Sequence, residues 1–147
     1  MAYSDACFDA GVQPVIGTML GVARPDMPEG VAPIVDWIAL YAQDERGYDN
    51  LCELVSRAHL DRPIDLPPHV SFQSLSEFTD GLIALTAGGE GGLARLLAED
   101  QPDRAGAYLD RLGRLFPDRL YIELARRGDE TEERAEACLL YTSPSPR

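Results

Sequence analysis

The 147-residue sequence contains no run of 18 or more apolar residues, so it offers no helix able to span a membrane. Its first residues, MAYSDACFDAG, lack the basic start and apolar stretch of a secretory signal. No membrane partner is therefore expected, and the expected compartment is cytoplasmic. Cysteine is scarce. Cys7, Cys52 and Cys138 lie far apart with no C-x-x-C pair, and the reading is reduced, buried thiols. Basic charge is also short, with 13 Lys+Arg against 25 Asp+Glu for a formal net charge of −12. Such a field repels phosphate backbones, so the segment is a poor candidate for gripping DNA unaided.

The missing motifs exclude several chemistries. There is no G-x-S-x-G and no Cys–His pair at a recognisable spacing. The two histidines, His59 and His69, form neither H-x-H nor H-E-x-x-H, whereas zinc or two-metal sites need three or more such ligands. The Thr86–Gly92 loop, TAGGEGG, fits G-x-G-x-x-A through Gly89, Gly91 and Ala94. A dinucleotide site also needs an acid about 20 residues on, at the end of the next strand. Here a long helix intervenes and Glu123 comes too late, while no Lys-Ser/Thr follows to make a P-loop. The loop reads as a tight turn. The acid pairs Asp44/Glu45 and Glu99/Asp100 and the run Asp129–Glu133 read as dipole-complementing residues at helix starts. Arg126, Arg127 and Arg134 read as a solvated face rather than a phosphate clamp.

What is present is a globular chain, 45% apolar and 26% charged, long enough for one domain or a large part of one. The pattern predicts a helix end over Tyr3–Ala10 stopped by Gly11, then a short strand over Val12–Ile16. Arg24–Pro33, with three prolines and one glycine, reads as a loop. Ile34–Ala42 is nearly continuous apolar sequence containing only Asp36, which suits a strand covered on both faces, as in parallel sheets.

Asp44 is the predicted N-cap of a helix with the stripe Tyr48, Leu51, Val55 and Ala58. A loop over Arg62–Pro68 and a helical turn over Ser74–Phe78 follow, then a strand over Leu82–Thr86. Next come a short helix, Leu93–Ala98, and a longer one begun by Pro102, burying Ala105, Tyr108, Leu109, Leu112 and Phe116. Leu120–Leu124 is the fourth strand and Glu130–Ala137 starts a further helix. Strands alternating with helices predict an α/β fold of βα units, open or closed into a barrel.

Three stretches carry a family resemblance. AGVQPVIGTMLGVARP (Ala10–Pro25), IALYAQDERGYDNLCELVSRAHLD (Ile38–Asp61), and EFTDGLIALTAGGEGGLARLLAED (Glu77–Asp100) with LFPDRLYIELARRGD (Leu115–Asp129) resemble, in order, blocks of the PHP domain of bacterial DNA polymerase III alpha subunits. The GYDNLCELVSRAHL run is the most specific. The resemblance implies a partial distorted (βα) barrel of the PHP type, with mostly parallel strands and outer helices, over residues 1–137.

Metal-binding members hold His, Asp, Glu and Cys ligands at strand ends and act as phosphoesterases or proofreading exonucleases. By that resemblance the degenerate ligand positions are Met19 (family Glu), Trp37 (His), Gly88 (Cys) and Arg127 (His). None suits a hard divalent cluster. The implied role is a non-catalytic segment of a DNA-directed DNA polymerase acting in replication, with no catalytic, cofactor-binding or metal site of its own. Its implied partners are the other domains of the polymerase alpha subunit and the proofreading exonuclease subunit, with DNA reached only through the parent protein. The parent's nucleotidyltransferase chemistry, with its Mg2+ ions, is expected in a palm domain beyond this chain. A PHP-family phosphoesterase and the error-prone alpha paralogue are the alternatives. Residues 138–147, CLLYTSPSPR, break the preceding helical pattern and are read as an adapter-derived, non-native tail.

Overall fold

The structure, a computed structural model, describes residues 2–28 and 30–124. Its elements run α1 (Ala2–Asp9), β1 (Gly17–Ala23), β2 (Val35–Ala42), α2 (Glu45–Leu60), α3 (Phe72–Glu77), β3 (Leu82–Leu85), a short 3-10 turn (Gly88–Glu90), α4 (Gly92–Ala98), α5 (Pro102–Leu115) and β4 (Leu120–Tyr121). The four strands form one open sheet in the order β1-β2-β3-β4.

The pairing differs from expectation. β1 and β2 are antiparallel, with Leu20 opposite Ile38, and β2 and β3 are antiparallel, with Leu40 opposite Ala84. Only β3 and β4 are parallel, over two rungs. The sheet is therefore not mostly parallel. The reason for β1–β2 lies in their connection: the described residues between them form no helix, and a parallel return needs a crossover of a dozen or more residues. The strand expected over Val12–Ile16 lies one step later, at Gly17–Ala23, because pairing with β2 selects it. β4 is shorter than the predicted Leu120–Leu124.

Strand alternation divides the sheet into two faces. Leu20, Val22, Ile38, Leu40, Leu82 and Ala84 join Leu51, Leu54, Leu75, Leu93, Leu96, Leu112 and Phe116 in a single core, so the helices cover this face. The opposite face carries Met19, Trp37, Tyr41, Ile83, Leu85 and Tyr121 and is only half covered, with Met19 45% and Tyr121 56% exposed. The covering of both faces predicted for the second strand is thus not what is seen.

The helices follow the sequence closely. Asp44, in extended backbone, accepts from the Gly47 N–H at 2.8 Å and caps α2 as predicted. The buried side of α2 is Gly47, Leu51, Leu54 and Ala58, so Leu54 takes the place expected of Val55 while Tyr48 is exposed. Gly47 lies against the β3 entry: a Cβ there would stand 1.9 Å from the Gly81 carbonyl oxygen. This contact explains why the GYDNL run begins with glycine. In α5, Pro102 opens the helix, and Ala105, Tyr108, Leu112 and Phe116 are buried as expected, with Leu109 partly so. Cys52 is exposed and Cys7 half-buried, so neither is the buried thiol that was expected. The helix predicted over Glu130–Ala137, the arginines at 126, 127 and 134, Cys138 and the 138–147 tail lie outside the described residues.

Candidate functional site

The positions named for the family's ligands fall on the uncovered side of the sheet or at its rim. Met19 pairs with Ala39, and Trp37 pairs with Gly21, so Met19 and Trp37 are diagonal neighbours on one face. Gly88 follows β3 in the 3-10 turn, in left-handed backbone at φ +51, next to Ala87 at φ +60. Arg127 lies outside the described residues. A thioether, an indole and a glycine offer no carboxylate, imidazole or thiolate, so these positions do not fit a divalent metal cluster. Among the described residues, no three His, Cys, Asp or Glu side chains converge in a way that could hold a metal ion.

The other residues singled out by sequence are apart from one another. His59 is exposed in the last turn of α2, and His69 Nδ1 lies 2.8 Å from the Pro67 carbonyl in the loop beyond it. Gly91 is the N-cap residue of α4, with its Cβ position 1.7 Å from the Thr86 carbonyl oxygen, so the glycine-rich loop folds upon itself. That is the tight turn expected. Glu123 is engaged differently: its N–H donates to Thr86 Oγ1 at 3.0 Å, tying the chain after β4 to the end of β3.

The concentrated polar chemistry lies on the covered face, and the sequence reading passed over it. Asp36, wholly buried on β2, accepts from Arg24 Nε at 2.8 Å, Arg24 Nη2 at 3.1 Å and Arg95 Nη1 at 2.7 Å. Arg24, just beyond β1, also donates to Glu99 at 2.8 and 3.3 Å. The Asp36 carboxylate, with Glu99 beside it, holds the Arg24 guanidinium above its ordinary range despite burial. Arg24 in turn holds the Glu99 carboxyl below its usual value. Burial, with Asp36 nearby, pushes the Tyr108 phenol well up. Every member is neutralised by a partner, and the network joins the β1 exit, β2 and α4. A single acid in an otherwise apolar strand was the available signal, because a buried carboxylate requires a cation.

Comparison with known proteins agrees with this framework. The PHP domain family matches residues 1–127. The chain is 40% identical over 146 residues to the DNA polymerase III subunit alpha of Caulobacter vibrioides, covering 95% of the chain and 12% of that protein. It is 31% identical over 124 residues to the protein of the same name from Pseudomonas fluorescens, with 84% and 10% covered. Against that of Thermus aquaticus it is 33% identical over 123 residues, with 80% and 10% covered. The chain spans about a tenth of the length of these curated relatives. With the ordered blocks, the α/β sheet and the match over residues 1–127 in agreement, the chain belongs to the PHP domain family, in the form similar to that of bacterial DNA polymerase III alpha subunits.

Proposed function

We propose that this chain is a non-catalytic, metal-free PHP segment of a DNA polymerase III alpha subunit, serving DNA replication as a scaffold. The reading rests on the family resemblance, which sets Met19, Trp37 and Gly88 where metal-binding members have ligands, and on their chemistry, since none of the three can hold a hard cation. The same substitutions make the sheet face apolar rather than acidic. An apolar face suits packing against protein, which is why the partners proposed are the remaining domains of the alpha subunit and the proofreading exonuclease subunit. Closure of the sheet into the distorted barrel of the family would cover that face. Polymerase chemistry, and the Mg2+ it uses, is assigned to domains outside this chain. Contact with DNA is assigned to those domains too, in keeping with the net charge of −12.

The test is metal content and hydrolysis together. The purified chain is dialysed against Mn2+ or Zn2+, assayed for bound metal by mass spectrometry, and incubated with p-nitrophenyl phosphate. The expected result is less than stoichiometric metal and no turnover above buffer. Two or three tightly held ions with metal-dependent hydrolysis would overturn the scaffold reading in favour of a phosphoesterase.

A further inference from the structure

Away from the uncovered sheet face, a cleft of about 50 Å3 opens between the loop after β1 and one side of α5. Arg24, Pro25 and Asp26 form one wall, Arg104, Ala107, Tyr108 and Arg111 the other, with Leu96 alongside. Arg104 and Arg111 are seven residues apart, two helical turns, and so share a face of α5 with the small Ala107 between them. The side chain of Arg24 is 2% exposed and fixed by two carboxylates, so this wall is rigid.

The charges around the cleft do not follow those of the chain as a whole. Three arginines, Arg24, Arg104 and Arg111, line the cleft with one carboxylate, Asp26, in a chain of net charge −12. The Arg104 guanidinium donates through Nη1 to a neutral amide, Gln101 Oε1, at 2.6 Å. Arg111 Nη2 donates to Asp26 Oδ2 at 2.6 Å, and both side chains are substantially exposed, a class of ion pair worth little net stability. Asp26 is a non-glycine residue in left-handed backbone, at φ 62, and it brings a carboxylate to the mouth of the cleft.

The geometry points to a binding site for a small oxyanion of the phosphate class, with the Asp26 carboxylate standing where the ligand's oxygens bind. Size and field both select this class. At about 10–15 Å3 for each water, the cleft has room for roughly three to five waters, which suits a tetrahedral oxyanion but no base or sugar. The field of the whole chain repels a polyanion such as nucleic acid but weighs far less on a single small ion. Arginine forks match the paired oxygens of such a ligand. The site uses none of the residues on which the scaffold reading rests, so either can fail without the other.

The experiment is a titration of the 15N-labelled 147-residue chain with sodium phosphate, set against sodium chloride at equal ionic strength, followed by amide and Arg Nε–Hε shifts. Saturable shifts confined to residues 24–26 and 104–111 are expected. Arg104→Gln combined with Arg111→Gln should raise the half-saturation concentration about tenfold or more, since two charge-assisted donors are lost. Asp26→Asn should lower it about threefold by removing the competing carboxylate. Both arginines lie outside the hydrophobic core. Shifts that grow linearly and match those of chloride would overturn the proposal, as would an unchanged double variant or weaker binding by Asp26→Asn.

Discussion

Asp36→Asn should cost a large part of the stability of this fold. The carboxylate is fully buried and accepts three hydrogen bonds from two guanidiniums, at 2.7, 2.8 and 3.1 Å. The amide is nearly the same shape, but it removes the negative charge and turns an N–H2 group toward a cation. Removing one member of a buried ion pair costs about 3–5 kcal/mol, against a typical domain total of about 5–15 kcal/mol. Arg24 keeps Glu99 as a partner and Arg95 is 38% exposed, so relaxation toward solvent places the cost nearer the lower figure. Urea unfolding followed by far-UV circular dichroism and by Trp37, the single tryptophan, measures it. With a slope of about 2 kcal/mol per molar urea, the midpoint should fall by about 1.5 M or more. Replacing both partners, Arg24→Met with Asp36→Leu, should recover most of that loss, because no buried charge is then left alone. A midpoint shift below about 0.5 M in Asp36→Asn, or a double variant worse than the single, would refute the reasoning.

Glu99 gives the acid limb of stability. Its folded carboxyl is held below the ordinary 4.5 by Arg24, so its contribution is complete above that value and is lost as pH falls through the lower folded value. Glu99→Gln should therefore flatten the pH dependence of the urea midpoint below pH 4.5 and leave its slope at neutral pH unchanged. Gly47→Ala places a methyl group 1.9 Å from the Gly81 carbonyl oxygen, and thermal melting should report a loss of about 1–3 kcal/mol as α2 is pushed off β3. The uncovered sheet face should bind the dye ANS in the folded state, and Trp37→Ser with Tyr121→Ser should lower that fluorescence without lowering helix content.

How far the sequence can be read follows from what its patterns encode. α2 and α5 were legible because Asp44 and Pro102 mark their starts and a single apolar stripe sets their buried sides. Strand pairing was not, since alternation tells which residues share a face but not which strand lies alongside, or in which direction. For β1 and β2 the cue existed in the helix-free loop with Pro25, Pro28 and Pro33, too irregular to serve as a parallel crossover. Gly17 and Gly21 hid β1. Gly21 is needed there because a Cβ would stand 2.5 Å from the Pro68 carbonyl oxygen. Met19, Trp37 and Gly88 are singled out only by the family resemblance, as no residue pattern marks them. The Arg24–Asp36 pair joins the exit of β1 to β2 across a hairpin, so it could be placed only once the hairpin was known.

The two-rung pairing of β4 has a consequence for how this sheet assembles. β1 and β2 form a hairpin that closes over a short loop, so this pairing can zip from local contacts alone. β4 reaches β3 only after α4 and α5 have folded back as a unit, and it then holds through Ala84 and Thr86 N–H bonds to the Arg119 and Tyr121 carbonyls, with Arg119 Nη1 gripping the carbonyls of Thr79 and Leu82. With two rungs, against four between β2 and β3 and seven between β1 and β2, β4 has the least backbone pairing to lose. Local opening of the sheet is therefore expected at the rim carrying Gly88 before its centre.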